Sequence, residues 1–249
     1  MPSYNELVNT PKGKYRKLLG TSVKVEKGLK EKVLTAIMYL AAWTRSGFNL
    51  CPYATKGCVS LCIANNSGRL RMGTAQHAQL QKSLLFHYYK DRFIENLKGE
   101  IAAHIRKAKK NGLKPAIRLN GTSDIRWEKL LDLSSFDCQF YDYTKAPLSV
   151  RNVPDNYFLT YSIGENMTDW GRAKEYNKAG YSAALVVAHT SNCSKKAKLV
   201  AKQLVYKGMI DGDITDIRFW DKPSIVALYA KGKKALNDTT GFVHRYELD

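Results

Sequence analysis

Residues 33–62 read VLTAIMYLAAWTRSGFNLCPYATKGCVSLC, and the two halves of this stretch follow different rules. The first, VLTAIMYLA over 33–41, is short, apolar and without a polar face. A run of that length predicts a strand buried on both sides, as in a parallel sheet. The second half places Cys51, Cys58 and Cys62 as Cys-x6-Cys-x3-Cys, beside Pro52 and Gly57. Proline and glycine interrupt regular structure, so the thiols belong to a loop that leaves the C-terminal end of the strand.

Working outward, residues 74–111 predict one long amphipathic helix or two in succession. Leu80, Leu84 and Tyr88 recur at four-residue steps, as do Phe93, Leu97, Ile101 and Ile105. The stretch stops at IRKAKKNG, with cations in the last turn and Asn-Gly after them. Beyond residue 112, short apolar runs alternate with helical segments. The runs are PAIRLNG (115–121), CQFYDY (138–143), YFLTYS (157–162), SAALVVAH (182–189) and ITDIRFW (214–220). The segments read as helical include IRWEKLLDL, APLSVRNV and a final KPSIVALYAKGKKAL. This alternation predicts an α/β fold of six βα units: a partial (β/α)6 barrel or an open doubly wound sheet. Residues 1–32 read as a basic N-terminal extension and 33–249 as the barrel domain, with a cysteine cluster loop at 49–68.

In parallel α/β folds, function gathers at the C-terminal ends of the strands. The expected strand ends are polar here: NGTSD (120–124), DYTK (142–145), SIGEN (162–166), HTSN (189–192) and WDKP (220–223). They make Asn120, Ser123, Asp124, Asp142, Thr144, Lys145, Ser162, Glu165, His189 and Asp221 the candidate pocket residues.

Three explanations compete for the thiols. The N-terminus lacks the apolar core of a signal peptide, which predicts a cytoplasmic chain. Cytosolic thiols stay reduced and the cysteine count is odd, so disulfides are disfavoured. A structural zinc needs four ligands, the fourth here being His77, His87, Cys138 or Cys193. A substrate-binding four-iron cluster takes three thiolates and keeps its fourth iron free for a ligand. Cys138 and Cys193 otherwise read as core or loop residues.

The formal net charge is +18, and it is uneven. Residues 1–110 hold 20 Lys and Arg against 6 Asp and Glu. That basic half, with KGKYRK and its Tyr15 near the start and RKAKK at 106–110, predicts a nucleic-acid partner. No apolar run reaches the roughly 18 residues of a membrane span, so no membrane partner is expected. Composition leaves the oligomeric state open.

A strand running straight into a three-cysteine loop resembles the radical S-adenosylmethionine enzymes over about residues 33–221. The spacing differs, since those enzymes use Cys-x3-Cys-x2-Cys. The resemblance implies a partial barrel of that type and a [4Fe-4S] cluster on Cys51, Cys58 and Cys62. It also implies S-adenosylmethionine bound by Asn120, Ser123, Asp124, Ser162 and Glu165. NLCPYATKGCVSLC, RLNGTSDI and FYDYTK are similar to segments of the phage gene product 88 family. That resemblance implies a phage origin and the cytoplasm of a bacterial host.

Overall fold

The computed structural model describes residues 1–9, 17–66 and 68–248. Apart from Lys17, the basic run KGKYRK, with Tyr15, lies outside the described residues. One sheet of nine strands forms the frame. Its members are β1 Leu19–Gly20, β2 Val33–Met38, β3 Lys114–Arg118, β4 Gln139–Thr144, β5 Tyr157–Ser162, β6 Ser182–His189, β7 Ile210–Asp211, β8 Ile225–Tyr229 and β9 His244–Tyr246. β2, β3, β4, β5, β6 and β8 are parallel neighbours in chain order. β1 pairs antiparallel with β2, β7 flanks β8, and β9 pairs with the last residues of β6. The sheet is open, with β1 and β7 at its edges. The expected α/β class holds, as a sheet that does not close and in which every strand but β1 pairs parallel.

Both faces of the central strands are covered, which is why their sequences carry apolar runs rather than alternation. On one face the helix Lys90–Lys110 buries Phe93, Leu97 and Ile101, as their four-residue spacing predicts. The preceding helix, Gly73–Tyr88, is separate, and the chain turns at Tyr89. Its buried positions are Gln79, Ser83 and Leu85, whereas Leu80, Leu84 and Tyr88 are only half-buried. Hydrogen bonding explains the rotation: the Ser83 hydroxyl donates to the Gln79 carbonyl (2.9 Å) and accepts the Ala41 N–H (2.8 Å). Helices Met167–Lys178 and Ser194–Tyr206 complete this core through Tyr176, Val200 and Leu204.

The other face is covered by the segment between β7 and β8. Ile217 packs there with Val33, Ala116 and Tyr141. Asp216 accepts from the Arg118 guanidinium (2.6 Å) and pairs with Lys24 (3.1 Å). The run ITDIRFW is therefore a plug across the sheet and not its last strand. That strand is β8, inside the stretch read as helix over 222–236. Two further segments differ from expectation. IRWEKLLDL and APLSVRNV contain only 3-10 turns, Trp127–Lys129 and Leu148–Val150.

Residues 1–32 are built into the fold, so the expected extension is part of the core where it is described. β1 joins the sheet, and Leu7, Val8, Leu18 and Val25 are buried. No helix among the described residues is long and apolar enough to cross a membrane.

Candidate functional site

The loops leaving β2, β3, β4 and β5 converge at one end of the sheet. Gly121, just past β3, sits so close to β2 that a Cβ would lie 2.5 Å from the Met38 carbonyl oxygen. Close approach of this kind selects glycine. The turn it permits carries Asp124, whose N–H donates to the Leu50 carbonyl at 2.9 Å and so holds the cysteine loop. Asn120 organises the turn. Its Oδ1 accepts from the Ser123 hydroxyl (2.9 Å), the Ile125 N–H (2.9 Å) and the Trp127 Nε1–H (3.1 Å). Asn120 and Ser123 are thus engaged with the turn itself.

Within the loop, Thr55 caps the one-turn helix Lys56–Ser60 by accepting the Cys58 N–H at 3.3 Å. Cys51 accepts the Trp43 N–H at 3.3 Å, and its thiol donates to the Thr122 carbonyl at 3.8 Å. Cys51, Cys58 and Cys62 are free and partly buried. Burial pushes the Cys51 thiol up to about 12 and the Cys58 thiol to about 11, and it raises Cys62 as well. The other two thiols and Asp124 raise Cys51 further, so these groups face a shared volume. Lys145 acts in the opposite sense on Cys58, and Arg45 on Cys62.

Lys145 lies buried under the loop. Its Nζ donates to the Ser162 carbonyl at 2.9 Å and stands 5.0 Å from the centre of the Phe242 ring. Burial lowers its pKa, and the nearby Cys58, Asp169, Glu165 and Asp124 raise it in part. Asp124 accepts from the Thr144 hydroxyl (2.7 Å) and the Lys145 N–H (2.8 Å). Burial raises its pKa, and these hydrogen bonds counteract the effect. Glu165 clamps the loop from β5, accepting from the Thr55 hydroxyl (2.7 Å) and the Gly57 N–H (2.8 Å). A cavity of about 670 Å³ opens beside this clamp, lined by Ala54, Thr55, Lys56, Glu165, Asn166 and Thr240.

The structure thus brings Cys51, Cys58, Cys62, Asp124, Thr144, Lys145, Ser162 and Glu165 to one mouth. Three expected residues stand apart from it. Asp142 is buried in the frame, where it accepts from the Leu119 and Asn120 N–H groups and the Tyr157 hydroxyl. His189 ends β6, its Nδ1 bonded to Ser191 and its Nε2 3.5 Å from Glu247. Asp221 precedes β8 at the opposite end of the strands and pairs with Arg218 at 2.9 Å. Its position follows from the misplaced last strand.

Sequence reasoning missed four supports: Thr55, Gly57, Asp169 and Arg151. Asp169 accepts from the Gly164 N–H (3.0 Å) and the Tyr161 hydroxyl (2.6 Å). Arg151 donates to Thr144 (3.0 Å) and pairs with Glu128 at 2.6 Å. The pattern Thr-x-x-Cys over 55–58 was a cap signal that could have found the first of them.

Among the described residues no three His, Cys, Asp or Glu side chains are gathered as the ligands of a single metal ion. Cys138 opens β4 at the far end of the sheet, Cys193 precedes the helix Ser194–Tyr206, and His87 stacks on Phe48. His77 is exposed on the helix Gly73–Tyr88. The local donor set is therefore all thiol and three in number. Soft thiol donors of this kind suit zinc as well as iron–sulfur clusters. A family model described as gene product 88 matches residues 12–246. No curated protein and no solved structure shows a match to this chain.

Proposed function

The chain belongs to the gene product 88 family, and from that premise we propose that it is a phage iron–sulfur protein of the radical S-adenosylmethionine type, acting on a nucleotide or nucleic acid. Cys51, Cys58 and Cys62 would hold the cluster, beside the residues that would bind S-adenosylmethionine. The observation that carries this reading is the set of three free, partly buried thiols in the loop that follows β2, held to the strand ends by Asp124 and Glu165. When bound, such a cluster supplies an electron and an open metal site.

The chain's own residues supply placement and charge balance. Glu165 fixes the loop backbone through Gly57 and Thr55. The Lys145 ammonium offsets thiolate charge at Cys58, which burial alone opposes. Asp124 sets the course of the chain at Lys145 by accepting its N–H. Ser162 and Glu165 offer a hydroxyl and a carboxylate at the cavity side for the ribose and ammonium of the cofactor.

Anaerobic purification followed by iron and sulfide analysis tests the assignment. The expected outcome is iron and sulfide in the wild type, loss of both in Cys58→Ala, and retention in Cys138→Ala. One zinc and no sulfide would instead place the protein among non-enzymatic, metal-stapled proteins that bind nucleic acid. Iron retained by Cys58→Ala would overturn the ligand set.

A further inference from the structure

RKAKK at 106–110 ends the helix that leads into β3, so it stands at the end of the strands away from the cysteine mouth. Around the mouth the pattern is different. From Lys32 to Lys90 the chain contains no Asp or Glu. Within that span Arg45, Lys56, Arg69 and Arg71 are all exposed, and none forms an ion pair with a carboxylate among the described residues.

The contacts place them together. Arg45 lies two residues after Trp43 in the same turn, its N–H bonded to the Ala42 carbonyl at 3.2 Å. Lys56 follows Thr55 in the loop and lines the cavity. The turn Gly68–Arg71 packs on the helix Ile63–Asn66 that follows Cys62. Two large apolar side chains share this rim: Trp43, 42% exposed, and Ile63, 54% exposed. Trp43 is also held at φ +49°, a backbone region that non-glycine residues rarely occupy. Its N–H bonds the Cys51 sulfur and its carbonyl accepts the Leu50 N–H, so the strained turn belongs to the cysteine loop. The indole belongs to none of the buried apolar clusters among the described residues. Strain of this kind at a loop edge points to a ligand.

A rim of unpaired cations around an exposed indole matches a chain of phosphates that also offers flat apolar rings. We propose that this rim binds single-stranded nucleic acid, with Trp43 stacking on a base and Arg45, Lys56, Arg69 and Arg71 on phosphates. The inference deepens the reading above by naming the strand state of its substrate, and it rests on that reading only for the purpose of the binding. Duplex DNA keeps its bases stacked and offers the indole no free face, which is why a single strand is the occupant. An anionic membrane surface also carries charge, but its binding elements are long amphipathic helices, and here the rim is built from single turns.

Fluorescence anisotropy with a labelled 20-residue oligothymidylate tests the proposal, using full-length protein whose iron and sulfide content has been measured. Four phosphate contacts to a single strand imply a log–log salt slope of about −3, or about 50-fold weaker binding between about 50 and 200 mM salt. Trp43→Ala should weaken binding roughly 5- to 150-fold. Trp43→Phe should restore part of the loss. Arg69→Ala combined with Arg71→Ala should flatten the slope by about 1.4, and Lys107→Ala with Lys110→Ala should leave it unchanged. No binding at the lower salt, tighter binding to the corresponding duplex, or binding to anionic vesicles but not to the oligonucleotide would each overturn the proposal. Unchanged affinity in Trp43→Ala with the slope intact would do the same. Oligonucleotide binding by protein without iron supports this rim and sinks only the cluster assignment, whereas iron-loaded protein that ignores the oligonucleotide sinks only the rim.

Discussion

Removing the Glu165 carboxylate should release the cysteine loop without unfolding the protein. In the folded chain that carboxylate accepts two hydrogen bonds, from the Thr55 hydroxyl at 2.7 Å and the Gly57 N–H at 2.8 Å. A hydrogen bond to an ionised acceptor contributes about 1.5–3 kcal/mol. Both bonds are part-buried, so the lower figure applies to each, and Glu165→Ala should cost about 3 kcal/mol of loop docking. That is a factor of about 150 in the opening equilibrium. Thiol reactivity reads this quantity directly. In reduced, metal-stripped protein, alkylation mapped by peptide mass should speed up at Cys58 by about that factor. Cys138, at the other end of β4, should keep its wild-type rate, and Glu165→Gln, which retains one acceptor oxygen, should fall between. An increase at Cys58 of less than about fivefold would refute the clamp, because the two bonds would then contribute far less than charged hydrogen bonds do. Equal acceleration at Cys138 would refute the locality of the effect.

Two further outcomes follow from buried groups, Gly57 at the mouth and Asp142 in the frame. A Cβ at Gly57 would meet Phe242 Cβ and Thr240 Oγ1 at 2.6 Å, so Gly57→Ala should cost about 1–3 kcal/mol and lower the melting temperature by about 2–12 °C; an unchanged melting temperature would mean that residues 240–242 do not press on the loop. Asp142 is raised to about 7 by burial, against the opposing pull of Arg118 and its hydrogen bonds. Its folded form therefore binds the proton more tightly than the unfolded chain, and stability falls as pH rises from the ordinary aspartate range to about 7, then levels off. Denaturant titrations should show Asp142→Asn gaining on the wild type over that window, by at most about 4 kcal/mol, and a gain in the other direction would reverse the sign.

The parallel strands were legible because each is a short apolar run buried on both faces, as in SAALVVAH, and because six of them come in chain order. The last was misread for a physical reason. ITDIRFW shows strand-like alternation because Ile217 and Phe219 pack toward Tyr141 as an extended plug, not because the segment joins the sheet. IVALY, which does join it, runs into KGKK and takes on the look of a helix. The mouth was legible through its polar strand ends, yet residue type alone did not separate Asp124 from Asp142. Both are buried aspartates, Asp124 in the turn beyond β3 and Asp142 within β4, bonded to Leu119 and Asn120. Nothing in the local sequence tells that residues 240–242 return to cover Gly57, since that contact joins positions far apart in the chain.

That return sets a timetable. The cysteines emerge early in synthesis, and the segment that covers them near Gly57 follows roughly 175 residues later. At ordinary translation speeds the loop waits roughly 9 to 35 s before residues 238–246 can close on it. During that interval the thiols stand open to whatever delivers metal or sulfide, and afterwards access narrows. A ribosome that slows within this window would lengthen the loading period, and one that runs fast would shorten it. Under the proposed ligand set, occupancy of the site would depend on the rate at which the chain is made as well as on the supply of its ligand.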